Sequence, residues 1–236
     1  MFLQGLLADS FRFFRNHLVS ILFIIVPVVF PIEFFRARYA ESFLGSESNF
    51  LSELPLLLLG LLAYPIYTAG VIFFIASEVS GSRLKARACW LLGLRFWWPF
   101  VLLALLLGVV TTLGFLLLLV PGLIALARFS FAEFDLLLNG SSPPDAMRHS
   151  WDETRPYFWP ILGGYLIIFA AVYLPYFALV FVLKDLEVDL GLFQVVLDSL
   201  YVVLGSLFTI FRFRVYHLAH ERRDLGLRPT ADQDPT

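Results

Sequence analysis

Six long apolar runs are the feature that most constrains how this chain can fold. They cover residues 18–35, 55–77, 98–119, 121–138, 158–182 and 194–216. A helix that crosses the hydrocarbon core of a bilayer needs about 20 mostly apolar residues, and five of the runs meet this length easily. Hydrophobic residues make up 59% of the chain and charged residues only 15%, whereas soluble domains carry roughly 25% charged residues. We therefore expect an all-α polytopic membrane protein with six transmembrane helices.

The run 121–138 is barely long enough to cross a membrane, and it contains Arg128, Glu133 and Asp135. Pro121-Gly122 is a turn signal that allows the third and fourth runs to form a hairpin. We expect this run to cross the membrane or at least to return the chain, because the helices before and after the hairpin then begin on the same side.

One pattern recurs three times: a small residue, an aromatic residue, and nine positions after the aromatic a residue that opens an apolar run. The copies are Ser10-Phe11 with Ser20, Cys89-Trp90 with Pro99, and Ser150-Trp151 with Pro160. Basic residues flank each copy, which predicts an amphipathic interfacial helix before each membrane hairpin. The chain is thus predicted to be one membrane domain, 1–220, of three pseudo-repeats at about 4–78, 83–138 and 142–219. Residues 221–236 are predicted to be a disordered cytoplasmic tail.

The third interfacial helix has a clear predicted start. Ser142 is suited to the N-cap, Pro143 to the first helical position, and an acidic residue, Asp145, follows in the first turn. The residues Met147, Trp151, Thr154 and Phe158 then recur at a helical spacing that places them on one face. This helix either orients the following hairpin or holds anionic lipid headgroups at the cytoplasmic leaflet.

The positions of Lys and Arg predict the orientation. With six spans, the inside segments hold 13 of the 17 basic residues, the outside loops 36–52 and 183–193 hold three, and Arg128 lies within a run. Short loops rich in Lys and Arg stay in the cytoplasm. We expect a multi-pass protein of the bacterial inner membrane with both termini cytoplasmic. The first run is followed by Arg36 and Arg38 rather than by a cleavage site, so it is expected to be a retained anchor.

Arg128 needs an explanation, because a guanidinium at the centre of a span costs about 2.5–3.5 kcal/mol even on the lenient insertion scale. It is either an ion-paired structural brace, a binding site for an anionic headgroup, or a side chain that snorkels to an interface. The candidate ion-pair partners are Glu78, Glu133, Asp135 and Asp198. The candidate lipid-binding residues besides Arg128 are Arg87, Trp90, Arg148 and Trp151.

The sequence offers no chemistry typical of an enzyme. It has no Gly-rich phosphate loop and no His/Cys cluster, and Cys89 is its single cysteine. His217 and His220 lack further ligands for a metal. We therefore expect no catalytic residues, no metal, no cofactor and no nucleic-acid partner.

From residue 120 the chain combines a Pro-Gly turn, an Arg-containing helix with acidic residues, an Asn-Gly turn and an Ala-x-x-x-Ser-Trp motif. These are Pro121, Gly122, Arg128, Glu133, Asn139, Gly140, Ala146, Ser150, Trp151 and Phe158. This segment resembles the YciC-type family of uncharacterised bacterial inner-membrane proteins. It is also similar to the membrane domain of some glycerophosphodiester phosphodiesterases. The resemblance implies a polytopic inner-membrane protein. It implies no catalytic residue, because the phosphodiesterase chemistry belongs to a separate domain.

These features favour a non-enzymatic protein that handles or senses anionic lipids or lipid-linked intermediates in envelope maintenance. One alternative is a small-solute transporter or channel, suggested by the charges and by Pro27, Pro31, Pro65 and Pro175 within spans. Another is a scaffold that joins other membrane proteins, or a second copy of itself, through Gly-rich helix faces.

Overall fold

A computed structural model describes residues 2–43, 50–185 and 191–225, and every element within these ranges is helical. The helices are α1 (Phe2–Phe43), α2 (Phe50–Val79), α3 (Ala86–Arg95), α4 (Trp97–Leu117), α5 (Leu119–Arg128), α6 (Ala132–Phe134), α7 (Pro143–Glu153), α8 (Phe158–Asp185) and α9 (Gly191–Asp224). A π-helix, Asp135–Asn139, follows α6, and a 3₁₀ turn, Arg155–Tyr157, follows α7.

Within the described ranges, five helical segments are long and apolar enough to cross a membrane. They are Leu3–Tyr39, Leu54–Val79, Trp97–Leu117, Arg155–Leu183 and Gly191–Asp224. They correspond to five of the six predicted spans. The all-helical fold and the candidate membrane spans are thus confirmed, whereas the number six is not.

The prediction of one helix through 121–138 is wrong. The helix α5 has 10 residues, a length of about 15 Å or half of the hydrocarbon core. Three turn residues follow Arg128, and then come the short α6 and the π-helix. Contacts from other helices stabilise the interruption. Glu133 pairs with Arg212, and Asp135 pairs with His149.

The helices α4 and α5 form a tight hairpin. Leu118 between them is extended, with φ −167° and ψ 156°, so the chain reverses three residues before the predicted Pro121-Gly122 turn. A Cβ at residue 122 would lie 2.4 Å from the Phe115 ring, so only glycine permits this approach. The tip of the hairpin is entirely apolar and exposed, from Leu116 to Val120.

Each copy of the recurring pattern contains a break in the backbone between its aromatic residue and the apolar helix that follows. The break within α1 is at His17 (φ −114°, ψ 15°), the break between α3 and α4 is at Phe96 (φ −96°, ψ 8°), and the third is the 3₁₀ turn that ends at Tyr157. These residues each lie six positions after the aromatic of the recurring pattern. The three-repeat organisation stays a prediction, but the three copies share this local structure.

The described residues form two compact units. The first contains 2–16, 96–167 and 208–225, and the second contains 17–43, 50–95, 168–185 and 191–207. In the second unit α3 packs on α2, since Gly93 approaches the Ile66 carbonyl closely. Trp90 of α3 donates its indole N–H to the carbonyl of Ile24 in α1 at 3.0 Å. Helix α3 is therefore fixed to both α1 and α2.

Helix α9 extends into the segment 221–236 that was predicted to be a disordered tail. Helix α9 continues to Asp224, and Arg223 pairs with Glu153 at the end of α7, with 3.0 Å between Nη1 and Oε1. This contact between distant parts of the chain extends the ordered helix past residue 220. Residues 226–236 lie outside the described part of the chain.

The predicted outside loops 36–52 and 183–193 are in part helical. Helix α1 continues to Phe43, α2 begins at Phe50, and α9 begins at Gly191. The rest of both loops, 44–49 and 186–190, lies outside the described residues.

A buried ion pair joins α6 to α9 in the first unit. Arg212 Nη2 lies 2.7 Å from Glu133 Oε2, and the two side chains are only 13% and 4% exposed. The guanidinium of Arg212 also lies over the Phe134 ring, 5.6 Å from its centre. Burying both charges is tolerated because each is neutralised by the other.

Replacement of Arg212 by Met should lower the free energy of unfolding by about 3–5 kcal/mol, because Glu133 is then buried without its partner. Thermal unfolding in a neutral detergent measures the change. The double variant E133Q/R212M should regain part of the loss. Arg12→Gln is the control: its pair with Asp9 is exposed and is worth about 0–1 kcal/mol. Equal melting temperatures for R212M and R12Q would contradict this role.

Candidate functional site

Helix α7 begins where the sequence predicts. Ser142 is the N-cap residue with extended backbone, and Pro143 and Pro144 occupy the first helical positions. The Ser142 hydroxyl donates to the Asp145 carboxylate at 2.5 Å rather than capping a backbone N–H. The acidic side chain is thereby held at the N-terminus, where the helix dipole favours negative charge.

Two hydroxyl groups, one in α7 and one at the C-cap residue that follows it, form hydrogen bonds to the backbone where α5 ends. Ser150 Oγ donates to the Arg128 carbonyl at 2.8 Å and accepts the Phe131 N–H at 3.0 Å. Thr154 Oγ1 also lies 2.9 Å from the Arg128 carbonyl. Ser150 and Thr154 are fully buried. We call these two residues the hydroxyl clamp, and it explains why a small polar residue precedes Trp151 in the recurring pattern.

Arg128 contacts an aromatic ring rather than an acid. Its guanidinium carbon lies 4.5 Å from the centre of the Trp151 ring, a distance typical of a cation–π interaction. No carboxylate of the described residues lies within 4 Å of it. Of the three alternatives for Arg128, the ion-paired brace therefore finds no acidic partner among the described residues.

The four predicted acidic partners have other surroundings. Glu133 binds Arg212, Asp135 binds Asn139 and His149, and Asp198 accepts the Tyr176 hydroxyl at 2.6 Å. Glu78, at the end of α2, forms no ion pair with a described residue. Buried carboxylates are costly without donors, and the fold supplies those donors from helices that sequence spacing does not reveal.

Asp135 opens the π-helix and links it to α7. Its Oδ1 accepts Asn139 Nδ2 at 2.6 Å, and its Oδ2 lies 2.9 Å from His149 Nδ1. The hydrogen bond and the charge of Asp135 raise the pKa of His149, whose ring is otherwise exposed. Because the folded pKa is raised, the stabilisation is fully present below about pH 6.5 and is lost as the pH rises through the raised value.

A groove of about 500 Å³ lies beside Trp151. Its walls come from α4, the turn after α5, and α7. The lining residues are Leu106, Phe129, Pro144, Met147, Arg148, Trp151 and Asp152. Most of this surface is apolar, and Arg148 and Asp152 are the only charged residues among those that line it. The volume is within the range of about 300–1,000 Å³ typical of small-molecule sites.

Arginine side chains are exposed at the groove and at the residue that follows the end of α7 by two positions. Arg148 and Arg155 are exposed and form no ion pair within the described part of the chain. Arg155 is close enough to repel the charge of Arg128, and Asp152 is close enough to attract it. The groove therefore combines an apolar wall with Arg148 and Asp152, and Arg128 contacts one of its lining residues, Trp151.

A second, smaller pocket of about 290 Å³ lies where the 3₁₀ turn meets the end of α9. Glu153 accepts Arg223 there at 3.0 Å, and His220 Nε2 lies 3.9 Å from it. The charges in this pocket largely compensate one another. No group of three metal-ligating His, Cys, Asp or Glu side chains occurs in the residues that the structure describes.

The structure brings together three of the five predicted lipid-binding residues, namely Arg128, Arg148 and Trp151. Arg87 and Trp90 lie on α3 in the second unit and do not line the groove. Sequence reasoning missed Phe129, Asp152 and Arg155. The i, i+4 spacing of Met147 with Trp151, and of Arg148 with Asp152, is the signal that could have found the groove face.

Replacing Ser150 by Ala leaves the Phe131 N–H without its acceptor, so we expect a loss of about 1–3 kcal/mol in the free energy of unfolding. Ser199→Ala is a matched control, because this buried hydroxyl donates to Val195 of its own helix and its removal leaves no backbone group unpaired. Thermal unfolding in detergent compares the two. If S199A were as unstable as S150A, the hydrogen bonds of the hydroxyl clamp would contribute no more to stability than a hydroxyl bonded within its own helix.

The model of one protein family, described as a domain of unknown function (DUF7847), matches residues 57–219. No curated protein and no solved structure matches the chain. The matched range covers more than half of the 236 residues. It also includes the hydroxyl clamp and every residue that lines the groove. The chain therefore belongs to the DUF7847 family.

Proposed function

We propose that this protein binds an anionic lipid, or a lipid-linked intermediate, in the groove beside Trp151, as a non-enzymatic component of a bacterial inner membrane. The observation that carries this proposal is the apolar wall of the groove next to Arg128 and Arg148, which have no carboxylate partner within 4 Å in the described residues.

The apolar part of the groove suits an acyl chain. Leu106 of α4 forms one wall, and the neighbouring side chains Leu102, Leu105 and Val109 on α4 are exposed. In a helix apolar enough to cross a membrane, such side chains face lipid. A chain lying along α4 can therefore enter the groove from the bilayer without crossing water.

The charged part of the groove suits a headgroup. Arginine binds phosphate oxygens through paired N–H groups, and basic residues near the membrane surface attract anionic lipids by about 1 kcal/mol each. Trp151 holds the Arg128 guanidinium in place. The N–H groups of the guanidinium lie in the plane of that group and stay available to an acceptor.

The transporter alternative has less support. Helix α1 contains Pro27 and Pro31, yet its one stretch of non-helical backbone is at His17. Helices α2 and α8 likewise continue through Pro65 and Pro175. Within the described residues these prolines thus provide no unwound helix of the kind that forms transport sites. For the scaffold alternative, the exposed apolar tip of the α4–α5 hairpin is the relevant surface.

Arg128→Gln should leave folding nearly intact, because no acidic partner is left unpaired. It should reduce anionic lipid retained through purification about fivefold, in line with about 1 kcal/mol for one lost charge. Mass spectrometry of extracted lipid measures the change, and thermal unfolding checks the fold. Arg12→Gln removes a charge from the interfacial part of α1 and is the control. Unchanged bound lipid in R128Q would refute the proposal, and a large fall in stability would instead support a structural role.

The proposed orientation has both termini in the cytoplasm. In a Cys89→Ser background, a membrane-impermeant maleimide should label Ser46→Cys only from the periplasmic side. Leu118→Cys, at the apolar hairpin tip, should react from neither side because the tip stays in hydrocarbon. Labelling of Ser46→Cys from the cytoplasmic side alone would reverse the orientation, and rapid labelling of Leu118→Cys would place the tip in water.

A further inference from the structure

We propose that α4 and α5 form a re-entrant hairpin, which enters and leaves the membrane on one side and ends near the middle of the bilayer. The groove at the base of this hairpin then takes lipid only from the leaflet on the side of α7. The second statement rests on the proposed function and specifies where its ligand comes from, whereas the first statement stands without it.

Helix α7 fixes the base of the hairpin at a polar surface. Four polar side chains of α7 are exposed, namely Asp145, Arg148, His149 and Asp152. Charged side chains exposed to the centre of the hydrocarbon are strongly disfavoured, so α7 lies at the level of the headgroups or in water. The hydroxyl clamp binds the Arg128 carbonyl to α7 through hydrogen bonds of 2.8 and 2.9 Å. The end of α5 therefore lies at the level of α7.

The length of α5 limits how deep the hairpin reaches. Its 10 residues, Leu119–Arg128, rise about 15 Å, which is half of a hydrocarbon core about 30 Å thick. The turn before α5 is therefore no more than about 15 Å from the level of α7. A tip at the opposite surface would need about 20 residues in α5.

Helix α4 gives a similar depth independently. Leu106 lines the groove together with Trp151 of α7, so this part of α4 lies at the level of α7. Leu117, where α4 ends, follows Leu106 by 11 residues, a rise of about 17 Å. The two helices run side by side near the tip, because a Cβ at Gly114 would lie 3.0 Å from the Gly122 backbone. Both arms of the hairpin thus end near the middle of the bilayer.

The tip of the hairpin suits hydrocarbon. The run 113–127 has no polar side chain, and residues 116–120 are 63–80% exposed. The Leu118 N–H donates to the Gly114 carbonyl at 3.1 Å, and the Leu118 carbonyl accepts the Gly122 N–H at 3.4 Å. Pro121 has no N–H to satisfy. Unpaired backbone groups are costly in lipid, and these three residues leave no free donor at the turn.

A re-entrant hairpin also agrees with the predicted orientation of the chain. Five crossings would place the two ends of the described chain on opposite sides of the membrane, whereas the pattern of Lys and Arg predicts them on the same side. If Trp97–Leu117 is re-entrant, four of the five candidate spans of the described residues remain as crossings. An even number of crossings returns the chain to the side where it began.

The depth of the hairpin determines which leaflet supplies the groove. Val109 and Leu113 on α4 are exposed between the groove and the tip, so the acyl chains of one leaflet, about 15 Å deep, cover this surface. The headgroup of such a lipid lies beside Arg148 and Trp151. A lipid of the opposite leaflet has its headgroup about 30 Å away and cannot reach these residues. In the proposed orientation the supplying leaflet is the cytoplasmic one.

Spin labels measure the depth of the hairpin in the bilayer. In a Cys89→Ser background, nitroxides are attached to Val109→Cys, Leu113→Cys and Leu118→Cys, and the whole protein is reconstituted in vesicles of phosphatidylcholine and phosphatidylglycerol. Collision with oxygen relative to a water-soluble nickel chelate should rise from residue 109 to 113 and be greatest at 118. A crossing α4 would instead be deepest near 109 and shallow at 118, and this profile would overturn the proposal.

Helix α8 provides the matched control, because its 28 residues are enough to cross the bilayer. Three of its exposed positions carry the label, in Trp159→Cys, Phe169→Cys and Phe181→Cys. The label at 169 should be the deepest, and those at 159 and 181 should be shallow. Thermal unfolding of each variant confirms that these substitutions of exposed residues leave the fold intact.

A photoreactive side chain tests which leaflet supplies the groove. Benzoylphenylalanine replaces Met147, which lines the groove, and in a control variant it replaces the exposed Phe181 near the other end of α8. Vesicles with uniformly oriented protein carry deuterated phosphatidylglycerol in the leaflet on the side of α7 and unlabelled phosphatidylglycerol in the other leaflet. Mass spectrometry should find mainly deuterated lipid cross-linked at 147 and mainly unlabelled lipid at 181.

The outcomes separate this inference from the proposed function. Equal amounts of deuterated and unlabelled lipid at residue 147 would overturn supply from one leaflet and leave the lipid site standing. Lipid cross-linked at 181 but not at 147 would refute the proposed lipid site, and the spin-label depths would still decide whether the hairpin is re-entrant.

Discussion

The site depends on the way Ser150 and Thr154 bind the backbone where α5 ends. A carbonyl and an N–H at an interrupted helix must find partners, since an unsatisfied polar group in an apolar layer costs about 1–3 kcal/mol or more. The hydroxyl clamp supplies these partners from α7. It thereby permits α5 to stop after 10 residues. It also sets Arg128 beside Trp151, which lines the groove.

In the first unit, the buried acidic side chains and Arg128 have different kinds of partner. The carboxylates of Glu133 and Asp135 are buried and held by donors from α9, α7 and the π-helix. The guanidinium of Arg128 is only partly buried and stacks on an indole. This difference is physically reasonable. A carboxylate away from water needs donors with fixed geometry, whereas a guanidinium can share an aromatic face and keep its N–H groups free for a phosphate.

Membership of the DUF7847 family provides no activity for comparison. The geometry of the groove is what supports the proposed lipid binding. The family match extends over 57–219 and contains the whole groove. The resemblance to YciC-type proteins stays a prediction. The proposed lipid binding belongs to this shared part of the chain, rather than to the first half of α1.

The sequence by itself determined the features that depend on local composition and spacing. Apolar length predicted six spans, five of which correspond to long helices, and the Ser142-Pro143 pair predicted the start of α7. Only the tertiary structure decided the interruption after Arg128 and the partners of the buried acids. These depend on which hydroxyl, guanidinium or ring arrives from a helix tens of residues away. Spacing along one helix cannot show that Glu133 meets Arg212, or that Thr154 reaches the Arg128 carbonyl.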